Sequence, residues 1–181
     1  LKFYYSGTRF AEVDRSRKIR VGLSGLMHST PQGTAVVVQP REGLRASHAG
    51  EEILLPGKVG GEKVRSYRVV RHGDDLAVWA VSSADRVKVE GRLGRTVTWN
   101  TDPAPGRSRF TVSPASGADR TYRGELDVTL GASSVLAVNR LLLQDYLRSV
   151  VSSEVPSSWT DAALRAQSVA ARSYALLAQE N

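Results

Sequence analysis

The stretch LQDYLRSVVSSEVPSSWTDAALRAQSVAARSYALL, residues 143–177, predicts two helices joined by a short polar loop. Before the loop, apolar residues recur at i, i+3, i+4, i+7 and i+8, the spacing of one face of an amphipathic helix. These residues are Leu143, Tyr146, Leu147, Val150 and Val151. After the loop, residues 162–178 contain seven alanines, and small side chains around a helix favour close packing on several sides. We therefore expect the second helix to be central in the fold.

A single glutamate, Glu154, lies in the predicted loop. Because Pro156 disfavours helical backbone at Val155, the first helix is expected to end here. Residues 158–161 match the capping box of a following helix, and Thr160 is an equally good cap. Glu154 is thus predicted to lie between two packed helices, on a loop that is held at both ends.

Val151, Val155 and Trp159 surround Glu154 in the sequence. If they also surround it in space, loss of solvent would disfavour the ionised carboxylate and keep it protonated near neutral pH. A protonated carboxyl is what a general acid needs to cleave a glycosidic bond. The alternative is a plain solvated glutamate without a catalytic role.

Three polar residues of the second helix are further candidates for a binding site. Gln167 and Tyr174 are seven residues apart and share a helical face, where they either bind a ligand or satisfy hydrogen bonds in the core. Arg172 lies about 140° from Gln167 around the helix. It is a candidate to bind an anion or to pair with a carboxylate. The candidate carboxylates are Asp127, Asp145 and Asp161.

The first three quarters of the chain consist of short β patterns and turn residues. Residues 66–71 and 76–81 flank a Gly/Asp turn and predict a hairpin, and residues 122–130 and 134–139 predict two later strands. The sequence therefore predicts an α+β fold, with short antiparallel or mixed strands followed by two packed helices around a Ser-Glu-x-Pro loop. Residues 1–18 are interpreted as an arm or linker, residues 19–181 as one domain, and segment 40–118 as a candidate β insertion.

Composition narrows the function classes. The chain has 181 residues, 41% of them hydrophobic, which suffices for a core. The net charge of +7 favours anionic partners such as nucleic acid or the cell envelope, although scattered arginines are more often a solvated surface. The absence of cysteine excludes thiolate chemistry, three dispersed histidines do not predict a metal site, and no phosphate-binding loop or cofactor motif is found. Because the chain starts at Leu1, we expect that it is not a complete translation product, and a signal or membrane anchor upstream is left open.

The order of the motifs resembles the SpoIID/LytB, or amidase-enhancer, domain family. The matching runs are Tyr122–Gly124, Val138–Asn139, Leu143–Leu147, Val150–Val151, Ser153–Pro156, Trp159, Ala163–Leu164 and Ala166–Ala175. The departures are Gln144, Ser149, Val155 and Ser168, where glutamate, glycine, methionine and alanine are usual in the family. The family's domain continues beyond the second helix, so we expect this chain to be the N-terminal part of the domain, with little activity alone.

The resemblance implies an extracytoplasmic lytic transglycosylase that acts on peptidoglycan glycan strands, without a cofactor or metal. Carried onto this sequence, it makes Glu154 the general acid/base that protonates the glycosidic oxygen and then accepts the proton of the muramic C6 hydroxyl. Gln167, Arg172 and Tyr174 are the substrate-binding candidates.

Three other readings remain open. Part of the family is named for enhancing amidases, so the domain is alternatively a non-catalytic wall-binding module whose partner is a cell-wall amidase. Charge alone suggests a nucleic-acid-binding β-domain, and we expect no such partner. Segment 40–118 is also a candidate for a separate binding role.

Overall fold

The structure, a computed structural model, describes residues 14, 16–30, 33–102 and 107–180. Most of the predicted arm, residues 1–13 and 15, lies outside the described residues. The strands are β1 (Lys18–Gly22), β2 (Met27–Thr30), β3 (Gly33–Val38), β4 (Arg45–His48), β5 (Glu51–Ile53), β6 (Lys58–Val59), β7 (Glu62–Lys63), β8 (Ser66–His72), β9 (Asp75–Val81), β10 (Arg86–Gly91), β11 (Thr96–Asn100), β12 (Arg109–Ser113), β13 (Arg120–Arg123), β14 (Glu125–Leu130) and β15 (Val135–Leu142). The helices α1 (Leu143–Glu154) and α2 (Asp161–Glu180) follow.

The strands form two main antiparallel sheets. Sheet A has the order β1-β15-β14-β11-β4-β5. Sheet B has the order β10-β9-β8-β3-β12-β13, and β2 also pairs with β3. The short strands β6 and β7 pair with each other. A strand-rich body followed by two helices confirms the predicted α+β class.

Both sheets contribute to one hydrophobic core. Alternate residues of β11 and β12 are buried, the two-residue period of strands that pack one face inward. Trp99 of sheet A and Phe110 of sheet B are the largest fully buried side chains, and each contributes about 1.5–3 kcal/mol by leaving water. The Tyr67 ring of sheet B lies 5.7 Å from the Trp99 ring, centroid to centroid. The sheets are therefore held together by large apolar side chains between them.

Segment 40–118 supplies strands to both sheets. Its strand β11 pairs with β14 in sheet A, and its strands β8 and β12 both pair with β3 in sheet B. The predicted hairpin within it is confirmed, since β8 and β9 pair from Ser66↔Val81 to His72↔Asp75 around Gly73. A separate role for this segment stays a prediction.

The predicted single strand 122–130 is wrong, because the chain changes sheets in the middle of it. Gly124 has φ +96° and separates β13 of sheet B from β14 of sheet A. A Cβ atom at Gly124 would lie 2.5 Å from the carbonyl oxygen of Arg140 and 2.7 Å from the Cβ of Leu141. Only glycine fits such a backbone at such a close approach, so this corner directs the chain into β14 and β15.

The helices dock through a second, smaller core. Strand β15 passes into α1 without a loop, and the Leu143 N–H donates to the Arg17 carbonyl at 2.9 Å. The buried members of this core are Ile19, Leu141, Leu143, Leu147 and Ala175. Strand β1, the end of β15 and both helices therefore share one cluster.

Candidate functional site

Glu154 is the last residue of α1, so its prediction as a loop residue is wrong by a small margin. Val155 follows in an extended conformation (φ −134°, ψ 143°), as Pro156 requires of the residue before it. Thr160 rather than Ser158 caps α2, because its hydroxyl accepts from the Ala163 N–H at 3.4 Å. A negative charge at the C-terminal end of a helix interacts unfavourably with the helix dipole. Glu154 therefore does not stabilise α1 through its charge.

The two helices are linked by the Glu154–Gln167 pair. The Gln167 amide Nε2 donates to Oε2 of Glu154 at 2.5 Å. Oε1 of Glu154 has no hydrogen-bond partner among the described residues, and the side chain is exposed. The amide thus fixes one carboxylate oxygen and leaves the other one open to solvent.

A cavity of about 350 Å³ lies between the two helices, and Val155 and Ser168, the residues that follow Glu154 and Gln167 in the chain, line it. Its lining comes from one face of α1 and one of α2, with Val155 and Ser157 from their connection. The lining residues are Gln144, Leu147, Arg148, Val151, Ser152, Val155, Ser157, Leu164, Ser168 and Arg172. Apolar walls with a few polar groups and arginines suit a ligand that carries both apolar surface and negative charge.

Arg172 is the cation of this cavity without a carboxylate partner in the described chain. It is half-buried, and its Nε has no hydrogen-bond partner there. Two of its predicted partners are engaged otherwise, since Asp127 pairs with Arg140 at 3.5 Å and Asp145 pairs with Arg148 at 2.9 Å. The third, Asp161, forms no ion pair with Arg172 in the described parts of the chain, so the anion-binding alternative for Arg172 stays a prediction.

The expected wall around Glu154 is incomplete. Val155 is buried and Val151 half-buried, but Trp159 is 49% exposed and Glu154 itself is exposed. The described side chains therefore do not remove the carboxylate from solvent in the way that the sequence argument required.

The prediction that α2 is central is also wrong for the described residues. Of the side chains described in this helix, only that of Ala175 is buried, whereas Val169, Tyr174 and Leu177 are 53%, 72% and 61% exposed. No hydrogen bond joins Tyr174 to Glu154 or Gln167 in the part of the chain that the structure describes. A binding role for Tyr174 stays a prediction, and the structure does not bring it together with the other candidates.

The sequence analysis did not predict Arg148, Ser152 and Ser168 as cavity residues. A signal for them was present, because positions 144, 148, 151 and 152 follow helical spacing on one face of α1. Positions 164, 168 and 172 do the same on α2. Val151 was interpreted as a packing position and as part of a wall around Glu154, not as the lining of a cavity.

Comparison with known proteins finds one family similar to the helical end of the chain. Residues 131–181 match the profile of a family described as "Stage II sporulation protein", SpoIID. No curated protein and no solved structure matches the chain significantly. Neither of the helices described here is long and apolar enough to cross a membrane. The matched range contains β15, both helices, the cavity and the Glu154–Gln167 pair, so this part of the chain is similar to the SpoIID family.

Proposed function

We propose that the site cleaves peptidoglycan glycan strands as a lytic transglycosylase, between N-acetylmuramic acid and N-acetylglucosamine. The observation that carries the proposal is the Glu154 carboxylate, oriented by Gln167 beside a cavity that contains an unpartnered arginine. The match to the SpoIID family supports the proposal at the level of a cell-wall role.

The chemistry requires one carboxyl group that acts twice. In its neutral form, with Oε2 held by Gln167, Oε1 donates its proton to the glycosidic oxygen, and the bond to the anomeric carbon breaks. The resulting carboxylate accepts the proton of the muramic C6 hydroxyl, whose oxygen attacks the anomeric carbon and closes a 1,6-anhydro ring. No water is activated, so the second carboxylate of ordinary glycosidases is not required.

The cavity provides recognition in this proposal. The guanidinium of Arg172 is suited to a carboxylate, and the lactyl carboxylate of muramic acid is the one that the substrate offers. Leu147, Val151 and Leu164 supply apolar walls, while Ser152 and Ser168 supply hydroxyl groups. A glycan strand thus lies along the groove between α1 and α2 with its scissile bond at Glu154.

The test is the substitution Glu154→Gln in the full-length protein. Purified glycan strands stripped of stem peptides are the substrate, and anhydromuramyl products are measured by mass spectrometry. Since general acid–base catalysis contributes about 10²–10⁴-fold, we expect the product rate to fall by at least about 100-fold. Glu52→Gln is the matched control, because Glu52 is an exposed carboxylate on strand β5 of sheet A.

A non-catalytic wall-binding or amidase-enhancing module is the second candidate. It is favoured by the cavity itself, whose lining presents Arg148 and Arg172 but does not include Glu154. Under this alternative, the wild-type protein releases no anhydromuramyl products, and Glu154→Gln binds sacculi as well as the wild type does. That pair of results would overturn the enzymatic proposal.

A further inference from the structure

The outer face of sheet B carries a basic patch around an aromatic ring, far along the chain from the helices. We define the Trp79 patch as Arg68, Trp79, Arg86 and Lys88. Arg68 and Lys88 are the cross-strand neighbours of Trp79 on β8 and β10. All three basic side chains are exposed, and Trp79 is half-buried.

The ring orders two of these cations. The guanidinium carbon of Arg86 lies 5.7 Å from the Trp79 ring centroid, and Nζ of Lys88 lies 5.6 Å from it. Both distances are within the range of cation–π attraction. The ring attraction thus favours positions of these two flexible side chains close to Trp79.

The patch cations have no carboxylate partner among the described residues. Two acidic side chains next to the patch in sequence bond to backbone groups instead, since Asp85, just before β10, accepts from the Arg86 N–H and Glu90 of β10 accepts from the Gly91 N–H. No ion pair of Arg68, Arg86 or Lys88 occurs in the described parts of the chain. The positive charge is therefore free to meet an anionic partner.

The arrangement favours a chain-like partner without bases. Arg68 and Lys88 are two strand spacings apart, about 10 Å, on a sheet face rather than around a single point. Single-stranded nucleic acid would need an open aromatic face on which to stack its bases. The Trp79 ring is instead engaged by Arg86 and Lys88.

We propose that the Trp79 patch binds a polyol-phosphate polymer of the cell wall. Arginine and lysine both bind phosphate, arginine through a planar fork of donors and lysine as a point charge. The choice of a wall polymer depends on the cell-wall role proposed for the helical site. Binding at the patch holds the protein on the wall while the groove between α1 and α2 meets the glycan.

The experiment is cosedimentation with sacculi that carry the polymer and with the same sacculi after its removal by acid. The wild-type protein is expected to sediment with the first and to lose about tenfold in affinity on the second. Added salt should also weaken binding, because the attraction is between exposed charges. Arg86→Glu/Lys88→Glu should lose about tenfold or more on polymer-bearing sacculi, given what each cation contributes near an anionic surface. Arg41→Glu/Arg45→Glu is the matched control with the same change in charge at exposed positions.

The outcomes separate this proposal from others. Equal binding to stripped sacculi, or full binding by the Arg86/Lys88 variant, overturns the proposal that the patch binds the polymer. Lys88 and the bulge of β10 would then serve only to keep this edge strand from pairing with another chain. If a single-stranded oligonucleotide displaces the polymer at a tenfold lower concentration than that of the polymer itself, the partner is nucleic acid and the proposal is overturned. If charge reversal lowers the urea midpoint of unfolding, Arg86→Gln/Lys88→Gln replaces it.

Glycan cleavage is measured separately on stripped strands, where the Arg86/Lys88 variant should match the wild type. Polymer-dependent binding by a protein that cleaves nothing would overturn the proposed enzymatic function and leave the patch in place. Cleavage of glycan by a protein whose binding does not depend on the polymer would overturn the patch proposal and leave the proposed enzymatic function in place.

Discussion

The corner at Gly124 allows a prediction whose size follows from the structure. Gly124→Ala adds a Cβ to a residue with φ +96°, a conformation that costs an L-residue about 1–2 kcal/mol. The same Cβ would also lie 2.5 Å from the Arg140 carbonyl oxygen, a contact that forces the backbone to shift. Overpacking of this kind costs about 1–3 kcal/mol. We therefore expect the free energy of unfolding to fall by about 2–5 kcal/mol, a large part of the stability of an ordinary domain.

Two other glycines separate the two causes. Gly25 has φ +77° but nothing within 4 Å of its added Cβ, so Gly25→Ala should cost only the conformational part. Gly57 has neither a positive φ nor a neighbour within 4 Å, and Gly57→Ala should be neutral or slightly stabilising.

Urea unfolding followed by circular dichroism is the assay. With a slope m of about 2 kcal/mol/M, the Gly124→Ala midpoint should fall by about 1–2.5 M without a change in m. A loss no greater than that of Gly25→Ala would refute the reasoning, since it would mean that the close approach of β15 carries no cost.

Two further predictions concern single hydrogen bonds. Gln167→Ala should lower the rate of anhydromuramyl formation by about 10–100-fold, the effect of losing one hydrogen bond to a charged group, and should leave glycan binding unchanged. Weaker binding at an unchanged rate would contradict the orienting role of Gln167. Burial raises the pKa of Tyr67, whose hydroxyl donates to the Pro56 carbonyl at 2.9 Å. The neutral phenol is thus favoured in the folded state, and its contribution to stability is full below the unfolded pKa of about 10 and is lost as the pH rises through the folded value. Tyr67→Phe should reduce this loss in urea unfolding between pH 9 and pH 11, and an unchanged slope would show that other groups cause it.

Local signals in the sequence were sufficient for the helices and the hairpin. The i, i+3, i+4 spacing before Glu154 and the restriction by Pro156 both act within a few residues, so the end of α1 was predicted to within one residue. The Gly/Asp turn between β8 and β9 is equally local. Thr160 and Ser158 were equally good caps in the sequence, and the hydrogen bond from the Ala163 N–H to the Thr160 hydroxyl decides between them.

The change of sheet at Gly124 could not be predicted in this way. The alternating pattern continues through it, and the residues that exclude a side chain there, Arg140 and Leu141, lie on β15. The sheet that a strand joins depends on its pairing with distant parts of the chain. No local pattern in the sequence shows these pairings.

The expectation of a central α2 was wrong because alanine is frequent both in closely packed helices and in exposed ones. Small side chains permit close packing, but alanine also has the highest intrinsic helix propensity and therefore stabilises exposed helices as well. Arg148 and Ser168 were missed for a related reason. A cavity is formed by two surfaces, and helical spacing on α1 does not tell which face of α2 lies opposite.

The small core beneath the helices determines when the groove between them becomes ordered during folding. Its residues come from both ends of the described chain, since Ile19 of β1 pairs with Leu141 of β15 and meets Ala175 of α2 in the same cluster. Contacts so distant in sequence form slowly, because a long loop must close before they can be made. The groove between the helices is therefore expected to be among the last parts to become ordered. A partial opening that releases β1 would remove its support while the larger β core stays intact, so hydrogen exchange should be faster in α2 than in β8 and β9.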